Sequence, residues 1–79
     1  MEFDFSKLRG RIKEKLNNEA KFAEKLSISP ASLSSKFNNR SDFSASEISR
    51  ATDEDVLDIS INEIGEYFFT KKLELNSRT

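Results

Sequence analysis

The sequence predicts an all-α domain, and three observations carry that reading. Only two glycines and one proline punctuate 79 residues, so few positions are built for tight turns. Apolar residues recur at steps of three and four, the helical period, rather than alternating. Asn18, Ser29, Ser44 and Ser60, residue types that favour helix starts, each stand just ahead of one of these apolar runs.

The first helix is expected from about Phe5 to Leu16, because Phe5, Leu8, Ile12 and Leu16 fall on one stripe. Lys7, Arg9, Arg11, Lys13 and Lys15 then read as a solvated face, the alternative being a track for phosphates. Gly10 costs up to about 1 kcal/mol relative to alanine, and either permits a close helix contact or is simply tolerated. Asn17-Asn18 breaks this helix, and Asn18 caps a second one from Glu19 to about Leu26, with Phe22, Ala23 and Leu26 facing inward.

Ser27-Ile28-Ser29 makes a short turn. Ser29 caps a third helix whose first position is Pro30, where a fixed φ fits and a missing N–H costs nothing. Leu33 and Phe37 face its inner side, whereas Ser32, Ser34, Ser35 and Lys36 leave the other side free of bulk. Asn38 to Asp42 ends it as a polar loop. Ser44 with Glu47 three residues on matches a capping box for a fourth helix, and Ser60 with Glu63 repeats the pattern for a fifth. Between them the acidic run Asp53-Glu54-Asp55 suits a helix C-terminus poorly, so an end, kink or bulge is expected within 52–55. Thr70 to Leu75 alternates weakly, as an edge strand or a tail does. Residues 1–75 read as one domain and 76–79 as a disordered tail.

Length and composition narrow the function classes. A chain of this size hides only about 60% of its unfolded surface on folding, which speaks against a deep catalytic cleft. Cysteine and histidine are both absent, so disulfides, thiolate metal sites and the usual general base are missing. A non-enzymatic protein without cofactor or metal is the expectation. No apolar run is long enough to span a bilayer, and the basic and apolar segments of a signal peptide are missing, which predicts a cytoplasmic location. The net charge of −1 conceals an asymmetry: residues 1–42 sum to +3 and residues 43–79 to −4. A polyanion can meet the first half while the second faces away or meets another protein.

The segment from Glu19 to Phe37 carries the functional reading: short helix, three-residue turn, second helix. Two helices crossing through so tight a turn need a small residue at their contact, which Ala23 supplies, while Leu26, Ile28 and Leu33 fill the angle. The outer side of the second helix then protrudes, at a size that fits a DNA major groove. The string from Lys21 to Asn39 resembles the phage Cro/repressor-type, or XRE-like, helix-turn-helix family, and Ile64-Gly65-Glu66-Tyr67-Phe68-Phe69 looks similar as well. The resemblance covers residues 5 to about 69. It implies a compact five-helix, lambda-repressor/Cro-like domain whose helix-turn-helix spans 19–37.

Two departures stand out. Ser27 occupies the place of the family's usual turn glycine, which requires a left-handed backbone there. Glu19 occupies the place of a glutamine that bonds a phosphate in many members, and a carboxylate there is repelled by one. The interval from Ala51 to Val56 also looks about two residues longer than the family's. Ile12 and Phe37, where many members bury an Arg–Glu pair, read as plain core.

Carried over by position, the resemblance implies base reading by Ser29, Pro30, Ala31, Ser32 and Ser35, and phosphate contacts from Lys21, Lys36, Asn38, Asn39 and Arg40. Without an Arg, Gln or Asn on the outer face, base discrimination is expected to be modest. Tyr67, Phe68 and Phe69 form an aromatic cluster that either meets a second subunit or packs within the monomer. Leu73 and Leu75 are candidates for a short intersubunit strand. The expected function is a small phage- or prophage-type transcriptional regulator that binds operator duplex DNA as a homodimer. The alternative is an antirepressor that binds a phage repressor protein instead of DNA.

Overall fold

Five α-helices pack around one hydrophobic cluster in the computed structural model, which describes residues 2–73. They are α1 (Ser6–Leu16), α2 (Glu19–Lys25), α3 (Pro30–Phe37), α4 (Ala45–Ala51) and α5 (Ile64–Phe68), the last entered through a 3-10 turn at Ile61–Glu63. The all-α expectation holds.

Each start has a local cause. The Asp4 carboxylate accepts from the Ser6 N–H at 2.8 Å and the Ser6 hydroxyl at 2.6 Å ahead of α1. Asn18 Oδ1 accepts from the Lys21 N–H at 2.9 Å at the head of α2, and the Ser29 hydroxyl accepts from the Ser32 N–H at 3.0 Å above Pro30. Ser44 and Glu47 satisfy each other's N–H groups at the head of α4, a capping box as the spacing predicts. At the second such match the Glu63 carboxylate accepts from the Ser60 N–H at 2.9 Å, but the first turn there is 3-10 rather than α.

The ends are equally specific. Beyond α2 the Ser27 N–H bonds the Glu24 carbonyl and the Ile28 N–H bonds the Ala23 carbonyl, with Ser27 at φ 60°. This is the Schellman arrangement, and the left-handed residue is a serine. α3 ends the same way: Asn39 has φ 62°, its N–H bonds the Lys36 carbonyl, and the Arg40 N–H bonds the Ser35 carbonyl.

α4 stops at Ala51, and its C-cap Thr52 is the first residue of the expected 52–55 interval. The Arg50 guanidinium gathers that run, donating to Asp53 at 2.7 Å and to Asp55 at 2.9 and 3.0 Å, while its Nε donates to the Lys25 carbonyl at the end of α2. The charges that oppose a helix C-terminus are thereby bound by a cation from the helix itself. The chain then turns to bury Val56, Leu57 and Ile59.

α1 lies against α2 and α5, and α2 lies against α3. Phe5, Leu8, Ile12, Phe22, Ala23, Leu33, Phe37 and Phe68 are all buried, so Ile12 and Phe37 are core as read from the sequence. Gly10 and Gly65 play no packing role: a Cβ at either meets nothing within 4 Å. Among the described residues the only β pairing is an isolated antiparallel bridge between Phe3 and Lys71.

Candidate nucleic-acid interface

The corner between α2 and α3 exists because Ala23, almost wholly buried, lets the two helices meet, and because Ser27 accepts the left-handed conformation that reverses the chain. Leu26 and Leu33 are buried in the angle and Ile28 packs against them in the same cluster. Pro30 fixes the first turn of α3. The consequence is an eight-residue helix with one side in the core, through Leu33 and Phe37, and the other in solvent. Ser29, Pro30, Ala31 and Ser32 are exposed and Ser35 is half-buried, so the five residues assigned to base reading occupy the outer part of α3 and its cap.

Their hydroxyls differ in what remains available. Ser29 Oγ is spent on its cap, accepting from the Ser32 N–H and donating to Ser32 Oγ at 3.1 Å. Ser35 Oγ accepts from the Ser41 hydroxyl at 3.3 Å and keeps its own proton to donate. Pro30, Ala31, Ser32 and Ser35 therefore form the outward chemical surface, and Ser29 positions it.

The five residues assigned to phosphates divide more sharply. Lys21 and Arg40 are exposed and make no side-chain hydrogen bond or ion pair among the described residues. Lys36 is turned inward: its ammonium pairs with Glu47 at 3.3 Å, donates to the Asp42 carbonyl at 3.0 Å and lies over the Phe43 ring, with only 12% of the side chain exposed. It ties α3 to α4. Asn39 is likewise occupied, accepting from the Phe3 N–H at 2.9 Å and donating to the Phe3 carbonyl at 3.1 Å. Asn38 donates to the Ser34 carbonyl at 2.9 Å. The backbone N–H groups of Asn38, Asn39 and Arg40 all close the end of α3, so these amides are not free donors. Lys36, Asn38 and Asn39 thus build the loop after α3, whereas Lys21 and Arg40 remain exposed.

One further cation stands beside α3. Arg9 of α1 reaches the start of α2, where its Nε donates to Glu19 Oε2 at 2.8 Å and its Nη2 to Glu19 Oε1 at 3.3 Å. Its guanidinium lies 4.6 Å from the centre of the Phe37 ring. Glu19, an unmatched carboxylate in the sequence reading, is an ion-paired one in the fold.

A family model described as "Protein of unknown function (DUF739)" matches residues 1–71. The chain belongs to the DUF739 family. No curated protein matches this DUF739 chain. The matched span takes in all five helices and the bridge at Lys71, so the α2–α3 corner and every exposed residue of α3 lie inside it.

The C-terminal residues assigned to a partner surface need correction. Tyr67 and Phe68 are 8% and 2% exposed and belong to the chain's own core, where Phe68 meets Phe43 edge-on at 5.2 Å. Phe69, 50% exposed, is the outward member and packs edge-on against Phe3. Leu73 is 80% exposed, and Leu75 and the 76–79 tail lie outside the described residues. The weakly alternating segment pairs, at Lys71, with Phe3 of the same chain. Among the described residues no helix is long and apolar enough to cross a membrane.

The pairing of Arg9 with Glu19 is what sequence reasoning missed. Arg9 stands ten positions before Glu19 on a different helix, and no local spacing rule pairs residues across a helix corner. The usable signal was Glu19 itself, a carboxylate that required a partner.

Proposed function

We propose that this chain is a small transcriptional regulator of the Cro/repressor helix-turn-helix kind, with α3 as its DNA-reading helix. One observation carries the reading: α3 leaves a tight, left-handed corner with its outer residues Pro30, Ala31 and Ser32 exposed, Ser35 half-buried, and its inner residues Leu33 and Phe37 buried. A helix held by one side and bare on the other matches the shape that enters a major groove. Ala31 and Pro30 offer apolar contact to a thymine methyl, and Ser32 and Ser35 offer hydroxyls to base edges. Lys21 and Arg40 supply the phosphate contacts. Two subunits on a two-fold site double this small contact set, and occupancy of an operator, without a cofactor, then excludes a competing protein.

The second reading is an antirepressor that uses the same fold against a repressor protein. The inward turn of Lys36 favours it, because it removes one cation from the duplex-facing side. Selection from a random duplex library separates the two. The regulator reading expects an enriched site, a uniform loss across duplexes for Arg40→Ala, and a changed preference at one position for Ser35→Ala. Recovery of no enriched duplex contradicts it.

A further inference from the structure

Arg9 and Glu19 line a groove whose other wall is formed by Pro30, Ser34 and Asn38 of the α3 side. The guanidinium therefore sits beside the exposed flank of the proposed reading helix, on the side where α1 and α2 meet it. Three contacts fix its direction. Glu19 takes the Nε and Nη2 edge, and the Phe37 ring supports the plane at 4.6 Å. A guanidinium carries five N–H donors. Two are used by Glu19, and Nη1, with the second proton of Nη2, is unengaged among the described residues.

We propose that Arg9 is a phosphate-binding residue, aimed by Glu19. A DNA backbone flanking α3 reaches this groove, and one phosphate takes the end-on Nη1/Nη2 fork while Glu19 keeps the Nε side. An arginine held this way has less rotamer freedom to lose when the duplex arrives, so the contact forms at a reduced ordering cost. The same pairing lowers the repulsion that a bare carboxylate at the start of α2 exerts on a phosphate. Glu19 is then a positioning residue rather than a defect in the interface. This inference rests on the DNA-binding reading above.

The test is a fluorescence-anisotropy salt titration on a selected duplex, with wild type, Arg9→Met and the charge-balanced pair Arg9→Met/Glu19→Gln. Methionine retains an apolar stem over Phe37, and thermal melts check that each variant folds. A phosphate contact predicts that both variants lose about tenfold or more in affinity on every duplex, and that the log–log salt slope falls in magnitude by about 1.8, one phosphate being lost per subunit of the dimer. Wild-type affinity in the charge-balanced pair overturns the proposal, since Arg9 then only cancels Glu19. Absence of any duplex binding by the wild type overturns the DNA reading itself, and this inference with it.

Discussion

Asn39 holds Phe3 as a neighbouring strand would, its side-chain amide accepting from the Phe3 N–H at 2.9 Å and donating to the Phe3 carbonyl at 3.1 Å. The opposite edge of the same short segment is met by the C-terminal residues, where the Asp4 N–H bonds the Thr70 carbonyl and the Lys72 N–H bonds the Glu2 carbonyl. Asn39 thus links the loop after α3 to residues 2–4 and, through them, to Thr70 and Lys72. Because it also sits at φ 62°, two substitutions separate its roles. Asn39→Gly keeps the left-handed backbone and loses the two bonds, with an expected destabilisation of about 1–2 kcal/mol in urea unfolding. Asn39→Ala adds roughly 1–2 kcal/mol of backbone strain. Neither change removes a phosphate contact, so duplex affinity of the folded glycine variant stays at the wild-type level. A large loss returns Asn39 to the DNA-facing set.

The left-handed serine at the corner predicts a gain. Ser27→Gly relieves the strain of a Cβ at φ 60° and stabilises the fold by about 1 kcal/mol, part of the relief being offset by greater freedom in the unfolded chain. Gly10→Ala is an independent comparison: its Cβ enters open space on a helix interior, with an expected gain of up to about 1 kcal/mol. Thermal melts read both. A loss at position 27 shows that the Ser27 side chain contributes more than its backbone geometry costs.

Acid sensitivity should track Asp55 and Asp4. Hydrogen bonds from the Arg50 guanidinium hold the Asp55 carboxyl below its ordinary value of 3.8, and the bonds from Ser6 lower Asp4 likewise. A depressed folded-state value means that the unfolded chain takes up protons first as pH falls. The stabilisation is present in full above about pH 4–5, and it is lost as the pH drops through the lowered values. Asp55→Asn removes part of that dependence below pH 4 and leaves the neutral-pH profile flat. Unchanged acid dependence in this variant contradicts the role of the Arg50 cluster.

Much of the fold was readable because its determinants are local. Asn18, Ser29 with Pro30, and the Ser44/Glu47 pair act within four residues, and the heads of α2, α3 and α4 lie where that chemistry put them. The outer residues of α3 were legible from the placement of Leu33 and Phe37 alone. What failed was of one kind. Lys36, Asn39, Arg9 and Glu19 have partners on other elements, Glu47, Phe3 and each other, and the side to which a long polar side chain turns depends on those partners. Tyr67 and Phe68 were ambiguous for the same reason, since Phe68 meets Phe43 and the Tyr67 ring lies under Lys7 of α1.

With Tyr67 and Phe68 inside, self-association through the C-terminal face rests on Phe69 and Leu73. Phe69→Ser combined with Leu73→Ser is expected to convert a dimer to monomer in sedimentation equilibrium, with a drop of several degrees in the monomer's melting temperature from the lost Phe3–Phe69 contact. A dimer that survives both substitutions is held by another surface.

The central claim, that α3 reads duplex DNA while nearby cations hold its backbone, is tested most directly by the salt dependence of duplex affinity. Lys21, Arg40 and Arg9 on each of two subunits contact about six phosphates in the proposed complex. The expected result is an affinity loss of about a thousandfold between about 50 and 200 mM salt, with a log–log slope near −5. Duplex binding that is absent, or that stays level across this range, contradicts the account.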